Sequence, residues 1–297
     1  LTTHRLDVEF YSDGTRCRAW LYLPDNAKPA PVIVMAHGLG SVRTMRLDAY
    51  AERFSTAGYA CLVFDYRHFG DSDGEPRQIV DVNKQQQDWK AAIAFARSRS
   101  DVDAGRVILW GTSFSGGHVI AVADHTVKAV VVQCPFTSGL ASSFAVAPVT
   151  SIRISIAALR DIIGSWLGAA PVTVALVGKP GSTALMSAPD CESGYLRLIP
   201  DEERGRFQNA VAARIALQLF FYAPGKRVAQ LDCPVLFCVC ASDTVAPSGA
   251  TLRHARRARK GEIRIYQEGH FDIYTGEAFE RATGDQIGFL SRTVPVT

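Results

Sequence analysis

Hydrophobic and polar positions alternate in "RLDVEFYS" (5–12) and again in "RCRAWLYLP" (16–24), on either side of Asp13-Gly14. A period of two broken by such a pair predicts an antiparallel hairpin. The period then changes. "PVIVMAHG" from Pro31 is a continuous apolar run, as expected of a strand covered on both faces. "TMRLDAYAERFSTAG" has helical spacing and ends at Gly58, and "YACLVFDYR" is another buried strand running into a turn-rich loop to Pro76. "DVNKQQQDWKAAIAFARSR" predicts a long amphipathic helix opened by Asp81. "RVILWG", "FSGGHVIAVADH" and "VKAVVVQCP" add a strand, a helix and a strand. Strands and helices alternating at this spacing predict an α/β fold, with a mostly parallel central sheet covered by helices on both faces.

The alternation fails between Phe136 and about Gln230. That stretch holds two apolar helix-like segments, "LASSFAVA" and "TSIRISIAALRDIIGSWLG", a glycine-proline run "VGKPGS", and a helical "QNAVAARIALQLFFY". The sheet pattern resumes with "CPVLFCVCASD", a helix from Pro247, the strand "EIRIYQ" and a closing helix. The expected organisation is a core of residues 1–135 and 231–297 with an inserted, mostly helical cap over 136–230. The longest uncharged stretch, Ile162 to Gly178, is broken by Gly164, Gly168 and Pro171. A membrane helix needs about 20 predominantly apolar residues, so no membrane span is expected and this stretch reads as a buried part of the cap.

Composition narrows the picture a little. The chain has 297 residues, 47% hydrophobic, with a formal charge of +3, which fits an ordinary globular protein and gives no reason to expect nucleic acid as a partner. The densest basic run, "RHARRARKGE" from Arg253, has helical spacing up to Gly261 and reads as a solvated helix end favoured by the helix dipole. Seven cysteines show no C-x-x-C pair. Cys238 and Cys240 fall on one face of a strand and read as core filling, so no metal is expected. Free thiols in apolar surroundings suit a reducing cytoplasm. The chain opens without a basic-then-apolar signal segment, and at Leu1 rather than Met, which leaves open a leader removed before it.

The junction "LWGTSFSGG" carries the chemistry. A strand that turns sharply into a helix leaves its turn residue strained and exposed above the sheet, and needs small residues two positions before and after it. Ser113 fits, with Gly111 and Ser115 at its flanks, just past the strand end. Ser115 has small flanks too, but it lies in the first helical turn, and two steps of about 100° carry it to the other side of the axis. A serine hydroxyl needs a base, and the base an orienting carboxylate. Downstream, Asp243 follows one buried strand and His270 the next, in the order this elbow expects. All three fall at carboxyl ends of parallel strands, where ligands gather in open α/β sheets. Asp272 is a rival carboxylate that would have to reach back around a loop. His4, His118, His125 and His254 have no strand-end context. The oxyanion donors expected are the N–H of Phe114, next after the nucleophile, and the N–H of Leu39 in "AHGLGS", where Gly38 and Gly40 permit close approach. His37 either pins that loop or faces solvent. "FDYRHFGDSDGEP" fails as a calcium loop, because its glycine comes directly after Asp73 and no glutamate follows at the required distance. "HGLGSV" lacks the full dinucleotide fingerprint, so no cofactor is expected.

With "HGLG", "DYRHFGDSDG", "GTSFSGG", "ASDTVAP" and "EGHFDIY" in hand, the chain resembles the serine α/β-hydrolase superfamily over nearly its whole length. It is most similar to bacterial esterase-like hydrolases and fungal polyketide acyltransferases of that fold. Two departures stand out: Ser115 occupies the last position of G-x-S-x-G, and His68 stands where many relatives carry glycine, a change that could alter the pocket floor. The resemblance implies acyl transfer through an ester on Ser113, with His270 as base and Asp243 as its orienter. The expected activity is hydrolysis of a small carboxylic ester, since a cap rich in Leu, Ile, Val, Ala and Phe favours apolar groups. The alternatives are an acyltransferase or thioesterase using the same three residues, and a ligand-binding protein without turnover. Carbon–carbon bond hydrolysis and peptidase activity are lesser options; epoxide or haloalkane hydrolysis would need a carboxylate at the elbow. A homo-oligomer is compatible with all of these.

Overall fold

In the computed structural model, which describes residues 3–25 and 28–296, β1 (Thr3–Ser12) and β2 (Thr15–Pro24) form the expected hairpin. Leu1, where a leader was left open, lies outside the described residues. Asp13 and Gly14 both take positive φ, 49° and 75°, as a two-residue turn matched to strand twist requires. The chain continues through β3 (Ala30–Ala36), α1 (Leu47–Thr56), β4 (Ala60–Phe64), α2 (Val82–Ser98), β5 (Val102–Thr112), α3 (Phe114–Val122) and β6 (Ala129–Gln133). Then come α4 (Gly139–Ser143), α5 (Pro148–Trp166), β7 (Thr173–Val177), β8 (Ala184–Met186), α6 (Cys191–Arg197), β9 (Val211–Ala212) and α7 (Ile215–Phe221). The end of the chain forms β10 (Val235–Cys240), α8 (Ser248–Ala255), β11 (Gly261–Tyr266) and α9 (Gly276–Thr293).

Among the described residues the main sheet has eight strands in the order β1-β2-β4-β3-β5-β6-β10-β11. From β4 to β11 every neighbouring pair is parallel, while β2 runs antiparallel to both β1 and β4. β3, β4, β6 and β10 are buried along their whole length, which is why they read as unbroken apolar runs. Helices close the faces. Asp81 caps α2 by accepting from the N–H of Lys84 at 2.9 Å, and α2 buries Trp89, Ala92, Ile93 and Ala96 against the sheet.

Between β6 and β10, which are neighbours in the sheet, the chain leaves at Gln133 and returns at Val235. This excursion holds the helices α4 to α7 and also a three-stranded sheet, β8-β7-β9, which the hydrophobic pattern does not predict. Strands of five, three and two residues are too short for a period of two to register. Two further expectations are corrected. Ile162–Gly178 is not a buried unit: Ile163, Trp166 and Leu167 at the end of α5 are exposed, and burial is confined to Val174, Leu176 and Val177 in β7 and to Gly178 just after it. Apolar composition alone does not say which side of a helix is covered. The basic run is not helical to Gly261 either; α8 stops at Ala255 and Gly261 opens β11. Among the described residues no helix is long and apolar enough to cross a membrane.

Candidate active site

Ser113 sits between β5 and α3 at φ 55° and ψ −121°. For a residue with a side chain this is a strained conformation, and neighbouring backbone holds it there. Its N–H donates to the Gln133 carbonyl at 2.9 Å, and its own carbonyl accepts from the N–H of Phe136 at 2.8 Å. The small flanks have a measurable cause: a Cβ on Gly111 would come within 2.5 Å of the Ser115 carbonyl oxygen. Ser115 points away, as its place in the helix implies. It is buried, 2.9 Å from the Tyr66 hydroxyl, which also accepts from the Trp89 indole at 2.8 Å.

Three groups meet at the carboxyl ends of β5, β10 and β11. His270 Nε2 lies 3.0 Å from Ser113 Oγ, and Nδ1 lies 2.8 Å from Asp243 Oδ2. The imidazole and the carboxylate have side-chain exposures of 2% and 1%, so their pairing is shielded from solvent. The other oxygen, Oδ1, accepts from the N–H groups of Val245 and Ala246 at 2.9 and 2.6 Å. That fixes the carboxylate against rotation. Burial by itself disfavours the charged imidazole, yet the Asp243 charge and hydrogen bond, together with the neighbouring Cys134 thiol, outweigh it, so the pKa of His270 is raised well above the ordinary histidine value. The rival Asp272 is engaged elsewhere: it accepts from Arg197 at 2.8 Å and from the N–H of Gly269 at 3.2 Å.

The loop after β3 approaches the serine closely. A Cβ on Gly38 would meet Ser113 Cβ at 2.9 Å, so only glycine lets the turn come this near. His37 pins the loop and is buried: Nε2 bonds the Met45 carbonyl at 2.8 Å, and Nδ1 accepts from the N–H of Gly38 at 2.7 Å. Burial lowers its pKa to about 4, so it stays neutral. Among the described residues no group accepts from the N–H of Leu39 or of Phe114; Leu39, Phe114 and Ser113 border one cavity. The sequence gives no sign of Tyr195 on α6, whose buried hydroxyl accepts from Ser41 Oγ at 2.9 Å and donates to the Leu39 carbonyl at 3.2 Å. Its role depends on a helix outside the recognisable sheet pattern.

That cavity, of about 190 Å³, extends from Ser113 beneath the excursion and, among the described residues, is lined by uncharged ones alone, including Phe136, Ile154, Leu185, Met186, Leu219 and Phe220. His68 does not reach it. It is buried at φ 71° with Nδ1 3.0 Å from the Pro76 carbonyl, so the substitution for glycine concerns a turn and not the pocket floor. The acids of the rejected calcium loop are held by arginines: Asp65 and Asp71 by Arg43, Asp71 also by Arg206, and Asp73 by Arg16. His118 is a packed core residue between the Tyr222 hydroxyl and Gln85. Among the described residues one group, Cys134, Asp243 and His270, brings three metal-type donors within 4.8 Å of one another. Both imidazole nitrogens are already engaged with Asp243 and Ser113, so the hydrogen-bonded chain accounts for that closeness.

Comparison with known proteins gives relatives along the whole chain. The family model for the X-Pro dipeptidyl-peptidases (S15 family) matches residues 13–146. The quorum-quenching protein AidA of Acinetobacter baumannii is 55% identical over 293 residues, covering 98% of this chain and 96% of that protein. The polyketide transferase ATR5 of Stachybotrys chlorohalonatus is 28% identical over 309 residues, 97% of each. Among solved structures, the α/β hydrolase GrgF from Penicillium superposes with a TM-score of 0.81 at 24% identity, covering 98% of this chain and 99% of that one.

Proposed function

The chain belongs to the α/β-hydrolase superfamily, and from that premise we propose that it hydrolyses small, uncharged carboxylic esters through an acyl-enzyme on Ser113. Ser113 Oγ attacks the ester carbonyl as His270 Nε2 takes its proton, and Asp243 stabilises the imidazolium that forms. The oxyanion is met by the N–H groups of Leu39 and Phe114. The tetrahedral intermediate expels the alcohol, which takes the proton back from His270. Water then gives its proton to the same nitrogen, attacks the acyl carbonyl and releases the acid, restoring the Ser113 hydroxyl.

The observation that carries this reading is the meeting of the Ser113–His270–Asp243 chain with a cavity free of charged residues. An apolar acyl or alcohol group is at ease there. A peptide with a free terminus would leave its charge unpaired, which argues for ester over peptide-bond cleavage. The segment 136–230 serves in this reading as the cap that forms the cavity. The name of the 55% identical relative, quorum-quenching protein, supports removal of a small signal molecule as the setting. Seven buried, unpaired cysteines support a reducing, cytoplasmic one. A panel of esters varying acyl length against alcohol size, with a fluorophosphonate probe, tests the reading: labelling at Ser113 that vanishes in Ser113→Ala supports it, and labelling that persists or moves to Ser115 contradicts it.

The whole-length similarity to a polyketide transferase favours one second reading, transfer of the same acyl group to an alcohol, amine or thiol in place of water. Product analysis with such acceptors present separates the two.

A further inference from the structure

The reaction described above uses only one side of α5. Thr150, Ile154, Ala158 and Asp161 are buried against the body of the protein, and Ile154 lines the cavity. Asp161 locks the helix in place by accepting from the N–H groups of Val172 and Arg214 at 2.8 and 2.9 Å and from the Arg214 guanidinium at 2.7 Å. The opposite side carries Val149, Ile152, Ile156, Leu159, Ile163 and Trp166, every one between 52% and 80% exposed. Isolated exposed aliphatics need no explanation, but a continuous row of six on a firmly held helix does.

The spacing of that row is three, four, three, four, three. This is the alternation of the two seam positions of a heptad, a period of 3.5, with β-branched residues (Val149, Ile156, Ile163) at every first seam position. A narrow seam of this period suits another helix. A helix lying in a lipid surface presents instead a broad apolar face bounded by many basic residues, whereas α5 has no lysine and only two arginines, Arg153 and Arg160, both on one flank. We propose that the outer face of α5 docks on α5 of a second copy of this chain. The helix runs about 28 Å at 1.5 Å per residue. Covering the row would remove at most about 700 Å² from each copy, within the range one partner contributes to a stable interface. Charge selects the direction. Antiparallel helices would set Arg153 against Arg160 of the other copy twice over, while parallel helices set Arg160 beside the uncharged Ser155.

Sedimentation velocity of the full chain, with Ile156→Glu and Ile163→Glu, tests this. The unaltered protein is expected to sediment as a dimer. Each variant is expected to dissociate with an affinity lowered at least ~100-fold, because a carboxylate would be buried unpaired, while retaining turnover of a short soluble ester. Trp166, the one exposed tryptophan among the described residues, should shift its fluorescence to longer wavelength in both. In a parallel pair each seam residue meets its own copy, so Val149→Cys and Ile156→Cys should each crosslink on mild oxidation. A monomer at all concentrations, a dimer untouched by both glutamates, crosslinking at neither cysteine, or Ile156-dependent binding of a monomer to lipid vesicles would each overturn the proposal.

Discussion

Ser113 and Ser115 are two residues apart on one turn, both buried, and only direction separates them. One faces an imidazole at 3.0 Å, the other a phenol at 2.9 Å. Ser113→Ala is therefore expected to reduce kcat by at least ~10⁴-fold, with the fold intact by circular dichroism. Ser115→Ala should keep kcat and lower the melting temperature, since a hydrogen bond to buried Tyr66 is worth about 1 kcal/mol. Because His270 must be neutral to accept a proton and Asp243 raises its pKa, kcat/KM should climb with pH through a midpoint above the ordinary histidine value of about 6.5. Asp243→Asn should move that midpoint down and cost roughly 10⁴ in kcat, as in serine proteases. That these three candidates meet in space was legible because each is tied to a strand end, and strand ends can be read from apolar runs that stop. The pinning by His37 was left undecided, since a histidine beside a glycine loop reads the same whether it is buried or exposed.

Legibility fell where elements are short or lean on distant ones. The hairpin, α2 and the parallel strands follow from period, caps and turn residues that act locally. The pieces β7, β8 and β9 are too short to show a period, and β9 reaches β7 from far along the chain, Thr173 pairing with Ala212, while the faces of α5 are set by what covers them. The same holds for α6, which presses on both reacting loops: a Cβ on Gly194 would strike the Phe271 ring at 2.6 Å, and Tyr195 hydrogen-bonds the Leu39 carbonyl at 3.2 Å. Leu176 of β7 packs so tightly over Gly40 that a Cβ there would meet it at 2.5 Å. The loop of Leu39, the proposed oxyanion donor, is thus held from the excursion as well as from the sheet. Tyr195→Phe should lower kcat about tenfold with little change in KM, the pattern of an interaction felt mainly in the transition state. A matching rise in KM alone would assign Tyr195 to substrate binding instead.

At the scale of the molecule, pH acts on folding through histidines the reaction does not use. Burial lowers the pKa of His37 to about 4 and of His118 to about 3. Between those values and the unfolded value near 6.5, the unfolded chain binds protons that the folded one excludes, so stability rises with pH and is lost as acid is added. His270 acts in the opposite sense but in a different window: its raised pKa gives stability that is complete below about 6.5 and is lost only as pH rises through the folded value. Burial lowers the pKa of His68 and His254 as well, so the melting temperature should fall as pH drops below about 6.5 toward pH 4, and His118→Gln should flatten that slope. The most direct test of the central claim is rapid-quench mass spectrometry during turnover of a chromogenic apolar ester. An acyl mass carried on the peptide at Ser113, formed faster than the acid product and absent from Ser113→Ala, is the predicted result; turnover with no acyl group on that serine, or with it on Ser115, would contradict the account.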